Sequence, residues 1–175
     1  MRVSTRSQIR MDRFPEVAVV NNHFVLTRWD EIALLIRRSF EGATFNDGFT
    51  IERPLWHTRS IAGDTARANI RHVVAFHSHG ALCAAFFCIP VFRPQIDVEE
   101  SDIGWFFTDP ELSPILRIRV MDQIVELLIQ LMRKAGYKRI VTNMGTAEGA
   151  RLLARRYGFI HSPTSIWENR WIKEL

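Results

Sequence analysis

Glu99, Glu100 and Asp102 stand together at the head of a segment that alternates as a strand. Carboxylates gathered in this way can act as general bases, directly on a substrate amine or through a water molecule. Further along, Arg117 and Arg119 fall on the first turns of a helix, where guanidinium side chains and the positive helix end can both hold a phosphate. Other constellations do not close. His77, His79, Cys83 and Cys88 have the ligand types of a zinc site. However, Cys83 and Cys88 lie five apart in a strand-like run, so alternation turns them to opposite faces, and neither a metal centre nor a disulfide is expected. His57, His72 and His161 accompany no serine or cysteine in a recognisable nucleophile arrangement. Arg151, Arg155 and Arg156 make one basic helix face with no aromatic platform, which reads as a solvated face and not as a nucleic-acid interface.

The chain that has to position these residues is 175 residues long, 47% hydrophobic and 24% charged, the balance of one domain around one main core. Its longest apolar stretch, Ala81 to Phe92, is interrupted by Pro90 and falls well short of the roughly 20 residues of a membrane helix. Basic residues outnumber acidic ones by 23 to 19, giving a net charge of +4 and a pI near 9.6 that suits anionic partners without naming one. With no disulfide expected, a cytoplasmic location follows. Residues 1–22 begin Arg- and Ser-rich, with no acid before Asp12 and no apolar core of a secretory signal. Organelle transit peptides share that composition; we read the segment as a basic N-terminal arm ahead of a domain over residues 23–175.

Hydrophobic periodicity orders the elements. His23 to Arg28 alternates as a short strand, and Asp30 caps a helix whose Ile32, Leu35, Ile36, Ser39 and Phe40 share a face. Glu41 to Asp64 is a punctuated excursion with one or two short helices, of the kind that lines a site, with Phe45, Phe49, Trp56 and His57 as its aromatic content. Ile70 to His77 and the run from Ala81 read as a hairpin turning at His79-Gly80, ended by Pro90 and Pro94 and followed by an acidic turn over Asp97 to Ser101. Asp102 to Thr108 is the next strand, closed by Asp109-Pro110. Ser113-Pro114 starts a long helix with Met121, Ile124, Val125, Leu128 and Met132 on its apolar face, and Gly136 stops it. A strand over Arg139 to Thr142 follows. Next comes a helix capped by Thr146 with Ala147, Ala150, Leu153, Ala154 and Tyr157 inward, then a strand over Ile166 to Ile172. The fold class is α/β, a single domain with a mixed central sheet flanked by helices.

Three stretches in this order resemble the GNAT N-acetyltransferase superfamily. Asp102-Ile103-Gly104-Trp105-Phe106-Phe107-Thr108-Asp109-Pro110 is similar to the family's fourth strand and acyl-donor loop. The long helix running into Ala135-Gly136-Tyr137-Lys138-Arg139-Ile140 is similar to its third helix and fifth strand, and Ala150 through Gly158-Phe159 to its last helix with a Tyr-Gly-Phe turn. Together they cover about residues 100–160. The resemblance implies splayed strands after Gly104, which itself suggests a bulge or a close backbone approach. It also implies N–H groups at Phe106, Phe107 and Thr108 for the thioester, and of the carboxylates Glu99, Glu100 and Asp102 it is Asp102 that matches the family's base position. Two departures stand out. The glycine-rich phosphate loop is replaced by Leu116-Arg117-Ile118-Arg119-Val120-Met121, where Arg117 and Arg119 are the substitutes for it. The expected acid tyrosine is Ala154, leaving Tyr157 as the neighbouring phenol.

The implied function is an N-acyltransferase moving an acyl group from acetyl-CoA or another acyl-CoA to a small-molecule or protein amine. A same-fold enzyme charged by an acyl carrier protein is the alternative, and a non-catalytic module that binds an assembly partner is a third.

Overall fold

A computed structural model describes residues 14–41, 50–93, 98–143, 146–162 and 170–175; the side chains of residues 67, 89–105, 143 and 170 lie outside that description. The chain begins with β1 (Glu16–Asn21), α1 (Asn22–Thr27) and α2 (Trp29–Ser39). The strand expected over His23 to Arg28 is thus a helix, and the strand lies earlier, in residues assigned to the basic arm. Six residues with Phe24, Val25 and Leu26 in a row satisfy either period, and the local cap decides: the Asn21 side chain accepts the Phe24 N–H at 3.0 Å. Meanwhile β1 pairs antiparallel with the whole of β2 (Arg71–Phe76).

The excursion contributes α3 (Glu52–Gly63), which buries Leu55, Thr58, Ile61 and Ala62. Phe45 and Phe49 lie outside the described residues; Trp56 is exposed. Next, β3 (Leu82–Arg93) continues through Pro90 instead of ending there, and β4 (Val98–Thr108) takes in the expected acidic turn, so the two form the longest antiparallel ladder of the sheet. After α4 (Pro114–Lys134) come β5 (Arg139–Asn143), α5 (Ala147–Tyr157), β6 (Ile160–His161) and β7 (Arg170–Glu174). The sheet order is β1-β2-β3-β4-β5-β7-β6, and β4–β5 is its one parallel pairing, so the sheet is mixed.

Each face of the sheet carries its own core. Under α4 and α5, Val120, Ile124, Leu128, Met132 and Leu153 meet Val73, Ala84, Phe86, Cys88 and Ile140. Across the sheet, Val25, Ile32, Leu35, Ile36 and Leu55 of the first three helices meet Val74, Ala85, Phe87 and Phe107. Fully burying one such aliphatic side chain contributes about 1.5–3 kcal/mol, so these two layers fix the helices on the sheet. The apolar face of α4 is turned slightly from expectation, with Val120 buried in place of Met121. In α5, Leu153 is buried, whereas Ala147 and Ala154 are exposed.

Cys83 and Cys88 belong to the same core layer and are free, buried thiols. The expectation that they face apart fails because the β2–β3 register runs from Ala75↔Ala84 to Phe76↔Leu82, leaving Cys83 as an extra residue that breaks the alternation. Burial pushes both thiols up to about 12, so neither is a thiolate near neutral pH.

Both ends of α4 follow local chemistry. Ser113 Oγ accepts the Leu116 N–H at 3.3 Å, and Pro114 occupies the first turn. At the other end the Tyr137 N–H donates to Met132 C=O at 3.0 Å and the Gly136 N–H to Arg133 C=O at 3.1 Å, with Gly136 at φ +87°. This double bond to the last carbonyls requires a left-handed residue. No atom lies within 4 Å of a Cβ built on Gly136, so the cost of a side chain there is conformational alone. Gly136→Ala should therefore lower stability by about 1 kcal/mol, read as a reduced thermal midpoint; an unchanged midpoint would remove the glycine from its role as helix stop.

Candidate functional site

The site is built where β4 and β5 part. Their parallel register runs from Glu100↔Arg139 to Ile103↔Thr142, while β4 continues to Thr108. On its other side, β4 pairs with β3 at Phe87↔Trp105 and then at Cys88↔Ile103, so Gly104 is the bulged residue. The bulge and the parting coincide. A strand that gains a residue bends, and β5 is too short to follow it.

On the other side of β3, facing β2, a buried polar chain lies at the level of the bulge. The Cys88 N–H donates to His72 Nδ1 at 3.1 Å. An amide can only donate, so Nδ1 is the unprotonated nitrogen and Nε2–H points to Asn22 Oδ1, 2.8 Å away. Asn22 Nδ2 in turn donates to Ile61 C=O at the end of α3, at 3.4 Å. The His72 ring also lies 5.5 Å from Phe87, edge to face. Desolvation, with a smaller contribution from the Arg71 charge, lowers His72 to about 4. It is therefore a neutral, tautomer-fixed link between β3 and the α1 and α3 helices.

Beyond the bulge, the direction of each β4 amide follows from one bond. The Asp109 N–H donates to Cys83 C=O at 2.7 Å. Alternation along an antiparallel ladder then turns the backbone of Phe107, opposite Ala85, toward β3, and that of Phe106 and Thr108 toward the side β5 has left. Thr108 C=O is taken there by Ser39 Oγ at 2.8 Å. The Phe106 side chain packs on the core beneath α4, and Phe107 is fully buried on the opposite face, edge to face with Phe40 at 5.5 Å.

No protein-family profile and no curated protein matches this sequence. Solved structures do. The CoA complex of the GNAT N-acetyltransferase YhbS from Escherichia coli superposes with a TM-score of 0.64 at 16% identity, over 97% of this chain and 85% of that one. The PaiA N-acetyltransferase from Thermoplasma acidophilum, also bound to coenzyme A, gives 0.64 at 11% identity over 91% and 99%. The C-terminal condensation domain of Ebony with beta-alanyl-dopamine gives 0.66 at 12% over 92% and 100%.

The chain has the GNAT fold. Within it the expected donor amides divide: Phe106 and Thr108 face the parted strands, but Phe107 does not, because its amide is directed at β3. Glu100 and Asp102 sit in β4 opposite Arg139 and Val141, just before the bulge, and their carboxylates lie outside the described residues. The replacement for the GNAT glycine-rich loop is a closed helix start. Pro114 has no N–H, the Leu116 amide is taken by Ser113 Oγ, and the Arg117 amide by Ser113 C=O at 2.9 Å. Arg117 folds back, its Nη2 donating to Pro110 and Leu112 carbonyls at 2.9 and 3.3 Å, so it ties the loop instead of presenting itself to solvent. Arg119 is exposed.

Tyr157 is committed elsewhere too. Its hydroxyl donates to Asp122 Oδ1 at 3.0 Å, and Arg156 grips the same carboxylate through two 2.6 Å bonds. Burial and the hydrogen bond to Asp122 raise the phenol above its ordinary range, making it a poorer acid than a free tyrosine. Arg156 in particular holds Asp122 below the usual carboxylate range. Asp122, Arg156 and Tyr157 thus join α4 to α5. Among the described residues no three His, Cys, Asp or Glu side chains converge as metal ligands, and no helix is long and apolar enough to cross a membrane.

Sequence reasoning missed His72, Ser39, Arg38 and Asp109. The signal for His72 was present, since a histidine in the alternation with Val74 and Phe76 had to be buried and therefore bonded.

His72 predicts a pH dependence. Its folded pKa, about 4, lies below the unfolded 6.5, so the unfolded chain takes up the proton first and stability is lost as pH falls from 6.5 toward 4. The full loss is about 3 kcal/mol at ~1.4 kcal/mol per pH unit. Urea denaturation at pH 7.5, 6 and 5 should show the decline in the parent, and a shallower one in His72→Gln; parallel slopes would clear His72 of this role.

Proposed function

We propose that the protein is an acyltransferase that carries an acyl group from a pantetheine thioester, acetyl-CoA in the first instance, to a small-molecule amine. The observation that carries this reading is the parting of β4 from β5 at the Gly104 bulge. It turns the Phe106 backbone toward open space, where an amide-rich pantetheine arm can pair with it as a strand would. CoA complexes among the structures of this fold support the donor, and the Ebony complex with beta-alanyl-dopamine supports a small acceptor. Acyl transfer to an amine needs a base for the nucleophile and a proton for the departing thiolate. Asp102 and Glu100, which lie in β4 just before the fork, are our candidates for the first task. For the second, Tyr157 is ill suited, and water or the acceptor's own ammonium proton serves.

The closed start of α4 favours one second reading, in which a carrier protein presents the pantetheine arm. With the Leu116 and Arg117 amides internally satisfied and Pro114 lacking one, the helix start offers a free nucleotide's phosphates little beyond the Ile115 amide and the Arg119 side chain.

Thiol release from acetyl-CoA over a panel of primary amines tests the proposal, with binding followed by isothermal titration. Binding of acetyl-CoA with amine-dependent thiol release is the expected outcome. Release from an acylated carrier protein but not from acetyl-CoA selects the second reading, and no binding of either donor overturns both. Because the remaining side-chain contact for phosphate is the exposed Arg119, its replacement by alanine should weaken CoA by less than about 10-fold, and less still at high salt.

A further inference from the structure

Three places outside the fork repay inspection. A cavity of about 490 Å³ between the end of α4 and the start of β2 has an apolar floor, including Ile70, Cys88 and Met132, but only the exposed Arg71 and Lys134 to recognise a charge. The groove between α4 and α5 is crossed by the Asp122–Arg156–Tyr157 link. A small cavity of about 200 Å³ at the C-terminal end of β4 is different, because its charged residues are bonded to the donor side of the site.

The last turn of α2 reaches two points there. Ser39 Oγ lies 2.8 Å from its own-helix acceptor, Leu35 C=O, and 2.8 Å from Thr108 C=O, the final carbonyl of β4. Next to it, Arg38 bridges Asp109 at 3.3 Å and Glu111 at 2.6 Å, both on the loop that leads into α4. Asp109 is buried, and its Oδ1 also accepts the Glu111 N–H at 3.0 Å, while its own N–H is fixed on β3 and His77 Nε2 stands 3.7 Å from Oδ2. A buried carboxylate with this many donors has one orientation. The helix end therefore fixes both the last backbone group facing the fork and the loop that sets where α4 begins.

We propose that Ser39 and Arg38 are positioning residues for the acyl donor, acting through β4 and the α4 loop and not by contact with the thioester. This rests on the donor reading given above. A pantetheine donor is held at two separated places, its amides along β4 and its phosphates near the start of α4, and the binding energy of both is realised only if their separation matches the ligand. Ser39 ends the strand-like surface at Phe106 by occupying Thr108 C=O. Arg38 sets the step from that point to the helix.

Titration of acetyl-CoA and of S-acetylpantetheine, which lacks the nucleotide and its phosphates, into the parent, Ser39→Ala, Arg38→Ala, Arg38→Lys and Glu111→Gln distinguishes the parts. All are measured well below their melting temperatures, so that affinity is read on folded protein and a merely structural role does not move it. Ser39→Ala should weaken both ligands. Arg38→Ala should weaken acetyl-CoA by up to about 10-fold, the bound set by the phosphate contact it positions, and S-acetylpantetheine less, with Arg38→Lys recovering part of the loss. Glu111→Gln, at an exposed side chain, keeps the test open if Arg38→Ala does not fold, and should shift acetyl-CoA in the same direction. Folded variants that bind both ligands as the parent does overturn the positioning role. A parent that binds neither ligand instead overturns the donor reading on which it rests, a failure visible before any variant is made.

Discussion

One buried hydrogen bond ties this sheet to its helical layer: the Cys88 amide, on the side of β3 that faces β2, is given to His72 Nδ1. An antiparallel ladder has no place for an unpaired buried N–H, which costs about 1–3 kcal/mol if left open. By taking it, His72 satisfies the β2 side of β3 at the level of the Gly104 bulge, which lies on the β4 side. The bend of β4 follows from the bulge, and the parting from β5 follows from the bend. Asn22 and Ile61 complete the chain of donors, so β3 is tied at this point to the layer of α1 and α3.

Much of the scaffold was legible because its signals are local. Ser113-Pro114, Thr146, Gly136 and Gly158 each act on a single turn of backbone, and each stands where the pattern put it, the two glycines at φ +87° and +69°. Gly104 was legible for the same reason, as a residue that weakens a strand unless the strand deviates there. The first strand was not, because the choice between Glu16–Asn21 and His23–Arg28 depends on the partner β2, more than fifty residues away. Cys83 and Cys88 misled for a related reason, since strict alternation cannot see a bulge that is set by the pairing of β2 with β3.

The candidate site was legible by position and less so by role. The strand that carries Asp102 and Phe106 is the one that forks, yet Phe107 drops out once the direction of each amide is fixed by the Asp109–Cys83 bond. Arg117 and Tyr157 were chosen by type and place, and both are spent on internal partners that sequence spacing does not show: two loop carbonyls in one case and the Asp122 carboxylate in the other. Polar side chains near a site are drawn first to whatever buried acceptor lies within reach, and only coordinates show which that is.

The parallel ladder between β4 and β5 is four registers long, whereas β3 and β4 pair over nearly the full length of both. Parallel pairing is slightly weaker per residue, and these two strands are joined only through residues 109–138, so their contact closes a long loop for few bonds. Such a seam has fewer bonds to hold it than the β3–β4 ladder beside it. The seam divides the sheet into β1 to β4 and β5 to β7, and the core beneath α4 spans both sides of it. The place where a thioester is proposed to enter thus lies at the end of a short parallel seam, beside the longest ladder of the sheet.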